Sequence, residues 1–200
     1  MNTFASIAVV LAMAALAPVF DTSTAPAPAA TAQAFTIDGA HSSIVFRVKH
    51  MDTAFFYGRF NKIGGSFTID DADLAKSTIA VEIPAESIDS ANEGRDKHLK
   101  GPDFFDVKEF PTITLKSKSI KKTGNAYEVV ADLTLHGKTN AVTFTMEKTG
   151  GGEGRRGPTV GYEAVFTIKR SEFGMNYGID KKALADEVKI MVGIEAGAAK

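Results

Sequence analysis

The 200-residue sequence predicts an all-β fold, an eight-stranded antiparallel β-barrel with one or two short helices capping it. Three observations carry that prediction. From Ser43 onward, apolar and polar residues alternate with period two through most of the chain, the pattern of strands with one buried face. Short turns separate most of these runs, as in an antiparallel meander. Only 51–60 and 92–107 break the alternation with enough length for a helix or lid. Eight such strands close into a barrel whose interior can hold one small ligand. A two-sheet sandwich is the structural alternative.

Taken in order, Ile44, Phe46 and Val48 point one way, and Arg47 and Lys49 the other. Met51 to Phe60, MDTAFFYGRF, clusters apolar residues without alternation and reads as a short helix or lid. Gly64-Gly65 sits inside a strand-like run ending at Asp70; a glycine pair there marks a bulge or sharp bend. Ile79, Val81 and Ile83 share the next apolar face. Arg95 to Asp106, RDKHLKGPDFFD, gathers charge, a histidine and two adjacent phenylalanines in one irregular run. Arg95, Asp96 and His98 are expected to pair with one another or with backbone. Leu99, Phe104 and Phe105 are expected to press onto an apolar surface, since burying a Phe is worth roughly 1.5–3 kcal/mol. The segment reads as a cap on the end of a barrel, against the plainer reading of a crossover helix on a sheet.

After Pro111, Ile113 and Leu115 begin a strand that runs to a hairpin turn at Lys121–Asn125. Tyr127, Val129, Ala131, Leu133 and Leu135 follow at a spacing of two, then a turn at 136–139, then Val142, Phe144 and Met146. Gly150 to Gly157, GGGEGRRG, reads as a flexible loop. Tyr162, Ala164, Phe166 and Ile168 form the next strand. Arg170 to Lys182 is irregular, and Val188, Ile190, Val192 and Ile194 form the last strand.

Composition narrows the function classes. Apolar residues make up 44% and charged residues 24%, the balance of a soluble globular protein. The net charge of −1 gives no electrostatic case for binding nucleic acid or an anionic membrane. The chain has no cysteine, which excludes disulfides, thiolate catalysis and cysteine metal sites. From Phe4 to Phe20 there is no charge, and this short apolar run reads as a signal-peptide core, with a membrane anchor as the alternative. Ala15-Leu16-Ala17 and Ala32-Gln33-Ala34 both fit the cleavage pattern, and the Ala/Pro/Thr-rich stretch Thr22–Ala34 reads as disordered. Residues 1–34 are thus expected to be signal peptide and linker, 35–200 the folded domain, and the protein periplasmic.

No reaction is legible. There is no G-x-S-x-G elbow, and His41, His50, His98 and His136 lack metalloprotease spacing. Pairs such as His41–Ser42 read as networks that fix loops. The inward faces, among them Phe67, Ile113, Val129, Leu133 and Ile190, either fill the barrel or line a hollow, and periodicity does not separate the two. A long hydrocarbon in a hollow would gain roughly 0.8 kcal/mol per buried CH₂ before costs. At ~0.3 kcal/mol per heavy atom net, about forty carbons reach on the order of 12 kcal/mol without a polar anchor.

Several motifs together resemble the YceI-like family of lipid- and polyisoprenoid-binding periplasmic proteins. They are Asp38-Gly-Ala-His41-Ser42 with Phe46, Val48 and His50, then Arg95-Asp-Lys-His98-Leu99 and Asp103-Phe-Phe-Asp106. Pro111 with Ile113, Leu133-Thr-Leu-His-Gly137 with Val142, and Arg170-Ser-Glu-Phe173-Gly174 complete the set. The resemblance covers about Phe35 to Ala196. It implies an extended lipocalin-like barrel closed at one end, an isoprenoid or similar amphiphile in the pore, export and, in many members, a homodimer. True lipocalins differ, since their Gly-x-Trp signature needs a tryptophan and this chain has none. The expected function is a non-enzymatic periplasmic carrier of a polyisoprenoid or isoprenoid quinone, with no cofactor beyond that lipid. The alternatives are a fatty acid or amide carrier, a barrel enzyme acting on lipid, and a filled scaffold. Candidate pore residues are Phe46, Val48, Ile79, Val81, Leu115, Phe144, Met146 and Phe166. Phe55, Phe56 and Phe104 are rim or lid candidates, and His50, His98 and Arg95 polar contacts at the wider end. No metal site is expected.

Overall fold

A computed structural model describes residues 32–199 other than 156. The signal-core and membrane-anchor readings, and the cleavage site at Ala15–Ala17, lie outside the described residues. The elements are β1 (Gln33–Ile37), β2 (Ser43–His50), β3 (Ala54–Phe60), β4 (Gly64–Ile69), β5 (Thr78–Pro84), β6 (Ile88–Asp89), α1 (Glu93–Leu99), β7 (Thr112–Thr123), β8 (Ala126–Leu135), β9 (Lys138–Gly154), β10 (Gly157–Lys169) and β11 (Leu184–Ala198).

Eight of these strands form a closed antiparallel ring in the order β1-β4-β5-β7-β8-β9-β10-β11, with β11 pairing back onto β1. The expected barrel is therefore present. Its closure is uneven along the axis. The C-terminal end of β11 pairs with β1 at Ala196–Ala198, whereas Leu184–Gly193 pairs with β2. β3 and the two-residue β6 continue outward from β2. At this second end α1 and the loop after it border the opening. Leu99 and Phe104 pack with Phe46 and Ile88, and Phe105 reaches across to the neighbouring cluster around Ile113 and Phe173.

The helix is short and its ends are capped. The Asn92 side chain accepts from the Arg95 amide at 2.9 Å, Glu93 and Asp96 stand in the first turn, and Lys97 and His98 in the last. Seven residues do not make a stable helix in water, so buried Leu99 and the loop contacts hold it in place.

Four local expectations are corrected. Residues 51–60 are not a helix or lid: Ala54–Phe60 is strand β3, in hairpin register with β2. Its alternation is hidden because both faces carry aromatics, Phe55 and Tyr57 outward, Phe56 and Phe60 inward. Gly58 lies directly against Phe46, whose ring would meet an added Cβ at 2.4 Å. Of the bulge or sharp bend expected at Gly64-Gly65, the bulge is absent, since β4 pairs with β5 in unbroken register. Gly65 is needed because φ is +127° and a Cβ would fall 2.1 Å from the Ala80 carbonyl. Most of the Gly-rich run read as a flexible loop is strand: Gly150–Gly154 belongs to β9 and Gly157 opens β10, with a register shift at Gly161/Tyr162. Finally, Gln33 and Ala34, read as the end of a disordered linker, belong to β1, where the Ala34 carbonyl accepts from Ala199 at 2.8 Å.

The β1 end is packed solid. Val129, Ala131 and Ala196 have no exposed surface, and Ile37, Ile120, Tyr127 and Val160 are buried around them. Phe67 stacks on Phe35 at 5.5 Å and meets Tyr162 edge-on at 5.4 Å.

Candidate functional site

The other half of the barrel is hollow. A cavity of about 640 Å³ runs inward from the α1 end, within the roughly 300–1,000 Å³ range of small-molecule sites. Strand alternation builds its wall. Inward residues of β2, β5, β7, β9, β10 and β11 face it from around the ring, and nearly all are apolar.

Every residue expected from the sequence as pore wall, rim or polar contact borders this cavity. Phe46, Val48, Ile79, Val81, Leu115, Phe144, Met146 and Phe166 form wall. His50, Phe55, Phe56, Arg95, His98 and Phe104 stand toward its α1 end. Of the exposed lining residues, all but Glu163 gather there, which identifies the mouth. Two inward residues on the expected list, Phe67 and Val129, instead belong to the solid end.

Polar contacts organise the mouth. Asp96 accepts from the Ser90 amide at 2.8 Å and from the Ser90 hydroxyl. Arg95 Nε donates to Ser90 Oγ at 2.9 Å, a second guanidinium nitrogen donates to the Ser90 carbonyl at 2.6 Å, and the cation lies 4.2 Å over the Phe56 ring. His98 Nε2 is 2.8 Å from Asp103 Oδ2. Of the two expected pairings for Arg95, Asp96 and His98, with one another or with backbone, the backbone one holds for the first two, through the Ser90 carbonyl and amide, while His98 pairs with the Asp103 side chain instead. His98, Phe104 and Tyr177 form an aromatic triangle with centroids 5.0–5.2 Å apart.

Sequence reasoning quoted Arg170 in a motif but gave it no role. It is buried, and its guanidinium donates to the carbonyls of Ala185, Met175 and Leu184 at 2.8, 2.8 and 2.9 Å. Burial pushes its pKa down, and Asp186 partly offsets this. Asp186 in turn accepts from the amide and hydroxyl of Ser171. These bonds staple the 175–185 segment, which carries Tyr177 at the mouth. Tyr177 was also missed; it lies in an irregular stretch where no period could mark it.

The wall offers an apolar chain a water-poor lining and little else. Tyr162, part of it, is buried, and that burial raises the phenol's pKa, so it stays protonated at neutral pH. Among the described residues one group of three metal-capable side chains occurs, Asp38, His41 and Glu195, with ligand atoms within 4.8 Å. Its Asp38 is half-buried and its His41 and Glu195 are exposed, and His41 Nδ1 already sits 2.9 Å from Asp38 Oδ2.

The family comparison agrees with this architecture. A relative in Yersinia pestis (strain Pestoides F), a UPF0312 protein, is 38% identical over 172 residues, covering 84% of this chain and 88% of that one. The crystal structure of Burkholderia cenocepacia BcnA is similar with a TM-score of 0.74 at 29% identity, covering 80% of this chain and 99% of that one. A Campylobacter jejuni YceI protein gives 0.67 at 26% identity, covering 76% and 90%. A domain from Saccharophagus degradans described as polyisoprenoid-binding shares the fold, with a TM-score of 0.63 at 14% identity over 84% and 99%. The pattern of the YceI-like domain matches residues 35–196, from the first strand of the ring to the last, and the chain belongs to the YceI-like family.

Proposed function

We propose that the protein is a non-enzymatic periplasmic carrier that holds the chain of a polyisoprenoid or isoprenoid quinone inside the barrel. The observation that carries this reading is the apolar cavity of about 640 Å³, open at one end and blocked at the other. A wall of this kind retains hydrocarbon by excluding water, roughly 0.8 kcal/mol per buried CH₂ before ordering costs. It needs no charged anchor, and the wall away from the mouth is almost wholly apolar. The Saccharophagus degradans domain, described as binding polyisoprenoid, supports the choice of ligand class by analogy of fold. The uncharged run from Phe4 to Phe20 supports export.

Native mass spectrometry of the protein purified from its own host tests the reading. A bound species with the mass of an isoprenoid lipid or quinone is expected. A bound fatty acid or amide would replace the ligand class. A bare protein would contradict the carrier role, and turnover of an added lipid by that bare protein would favour an enzyme.

A further inference from the structure

Among the described residues five large apolar side chains stand exposed, and four of them lie on the elements that frame the mouth: Met51, Phe55, Tyr57 and Tyr177. Scattered exposed apolar residues are ordinary; a concentration beside the opening of an apolar cavity is not scatter. Met51 and Asp52 form the β2–β3 turn with φ of 49° and 52°. Successive non-glycine residues at positive φ are costly, and the turn they make displays a methionine that is 62% exposed. The Met51 amide donates to the Ala183 carbonyl at 3.1 Å, which ties this turn to the segment carrying Tyr177.

Lysines stand among these side chains. Lys97, Lys181 and Lys182 are exposed and make no ion pair among the described residues. Asp52 and Asp103, which would offset them, are engaged by Lys49 at 3.5 Å and His98 at 2.8 Å. Glu93, Asp180 and Asp103, whose partner His98 is charged only when protonated, balance the three lysines in number, but none of the three lysines is tied into an ion pair among the described residues. The net charge of −1 for the whole chain conceals these unpaired lysines. Apolar tips with a tyrosine and lysines beside them suit the boundary between lipid headgroups and acyl chains, where long cationic side chains reach back to the phosphates.

We propose that this rim docks on a phospholipid bilayer containing anionic lipid, so that the mouth of the cavity opens onto the membrane. The passage of a lipid chain through that mouth rests on the carrier reading; the docking does not.

The sequence has no tryptophan, so one introduced residue reports its own surroundings. Tyr177→Trp places it at the mouth, with Met51→Trp as a second reporter should the first disturb the aromatic triangle. Asn125→Trp places it on the β7–β8 turn at the opposite end. Each full-length variant is mixed with phosphatidylcholine/phosphatidylglycerol vesicles carrying brominated acyl chains. The mouth reporters are expected to shift to the blue and be quenched, and the Asn125 reporter to stay unquenched. Met51→Asp with Lys181→Ala and Lys182→Ala, added to the Tyr177→Trp reporter, is expected to weaken vesicle binding about tenfold or more, and so is Lys181→Ala with Lys182→Ala added to the Met51→Trp reporter. These three residues lie outside the cavity lining, so cargo seen by native mass spectrometry is retained. Equal quenching at both ends means non-oriented adhesion or an anchor elsewhere, and overturns the docking. Absence of quenching at the mouth overturns it, including where the blue shift follows protein concentration and reveals self-association. Mouth quenching by a protein that never carries lipid upholds the docking and removes the carrier reading.

Discussion

In the closed half of the barrel, Val129, Ala131 and Ala196 have no exposed surface, and Phe67 packs between Phe35 and Tyr162. In the open half, Phe144 and Phe166 stack on each other at 5.1 Å and border empty space. The two halves share strands and the same alternation, so they differ in what holds them. Interlocking side chains hold the closed half. The open half gives up part of that contact and relies on polar staples at its mouth: Arg170 on three carbonyls, Asp186 on Ser171, and Ser90 between Arg95 and Asp96. A barrel can therefore be hollow where a ring of hydrogen bonds replaces the missing core.

This division of labour can be broken from either side. Arg170→Met leaves the carbonyls of Met175, Leu184 and Ala185 without their charged donor. It should cost roughly 3–5 kcal/mol in urea unfolding, with hydrogen exchange accelerated first in 175–185. Phe67→Ala in the closed half should cost about 3–5 kcal/mol. Phe144→Ala, equally buried but facing the cavity, should cost less by about 1 kcal/mol or more, because the space beside it is already empty. Equal losses would mean that the cavity is closed in solution.

Filling rather than emptying gives the complementary contrast. Ala131→Phe has no room and should destabilise by roughly 1–3 kcal/mol. Ala164→Phe points into the cavity wall and should change stability by about 1 kcal/mol or less while abolishing lipid capture. The smallest effect lies at the closed end. The hydrogen bond to Asp38, then the charges of Asp38 and Glu195, hold His41 above its ordinary pKa of 6.5. The bond to His41, followed by the Ala40 amide, holds Asp38 below 3.8. The raised histidine stabilises fully below its ordinary value and loses that contribution as pH rises through its folded value. The depressed carboxylate stabilises above its ordinary value and loses that contribution as pH falls through its folded value. The pair therefore contributes most between those two ordinary values. His41→Asn should lower the melting temperature slightly more at about pH 5.5 than at about pH 8.5.

The sequence made the ring of strands legible because a half-buried strand prints its pleat as alternation, as β8 does from Tyr127 to Leu135. β3 escaped because Phe55 and Tyr57 make its outer face as apolar as its inner one. The ends of β9 and β10 escaped because glycines carry no side chain to alternate. The cavity residues were legible as inward positions, but Phe67 and Phe144 look alike in sequence, and only their neighbours across the barrel make one core and the other wall. Arg170 was illegible in role because its acceptors are backbone carbonyls in an irregular segment, which no side-chain pattern encodes.

The central claim is that a lipid chain lies inside the open half. It is tested most directly by an isoprenoid quinone analogue with a diazirine at the far end of its chain, bound, photolysed and mapped by tandem mass spectrometry. Adducts confined to the deeper wall, at Phe144, Met146, Phe166 or Tyr162, are expected, and they should vanish in Ala164→Phe. Adducts on the outer face, at Tyr57 or Val165, with none on the wall would contradict the account.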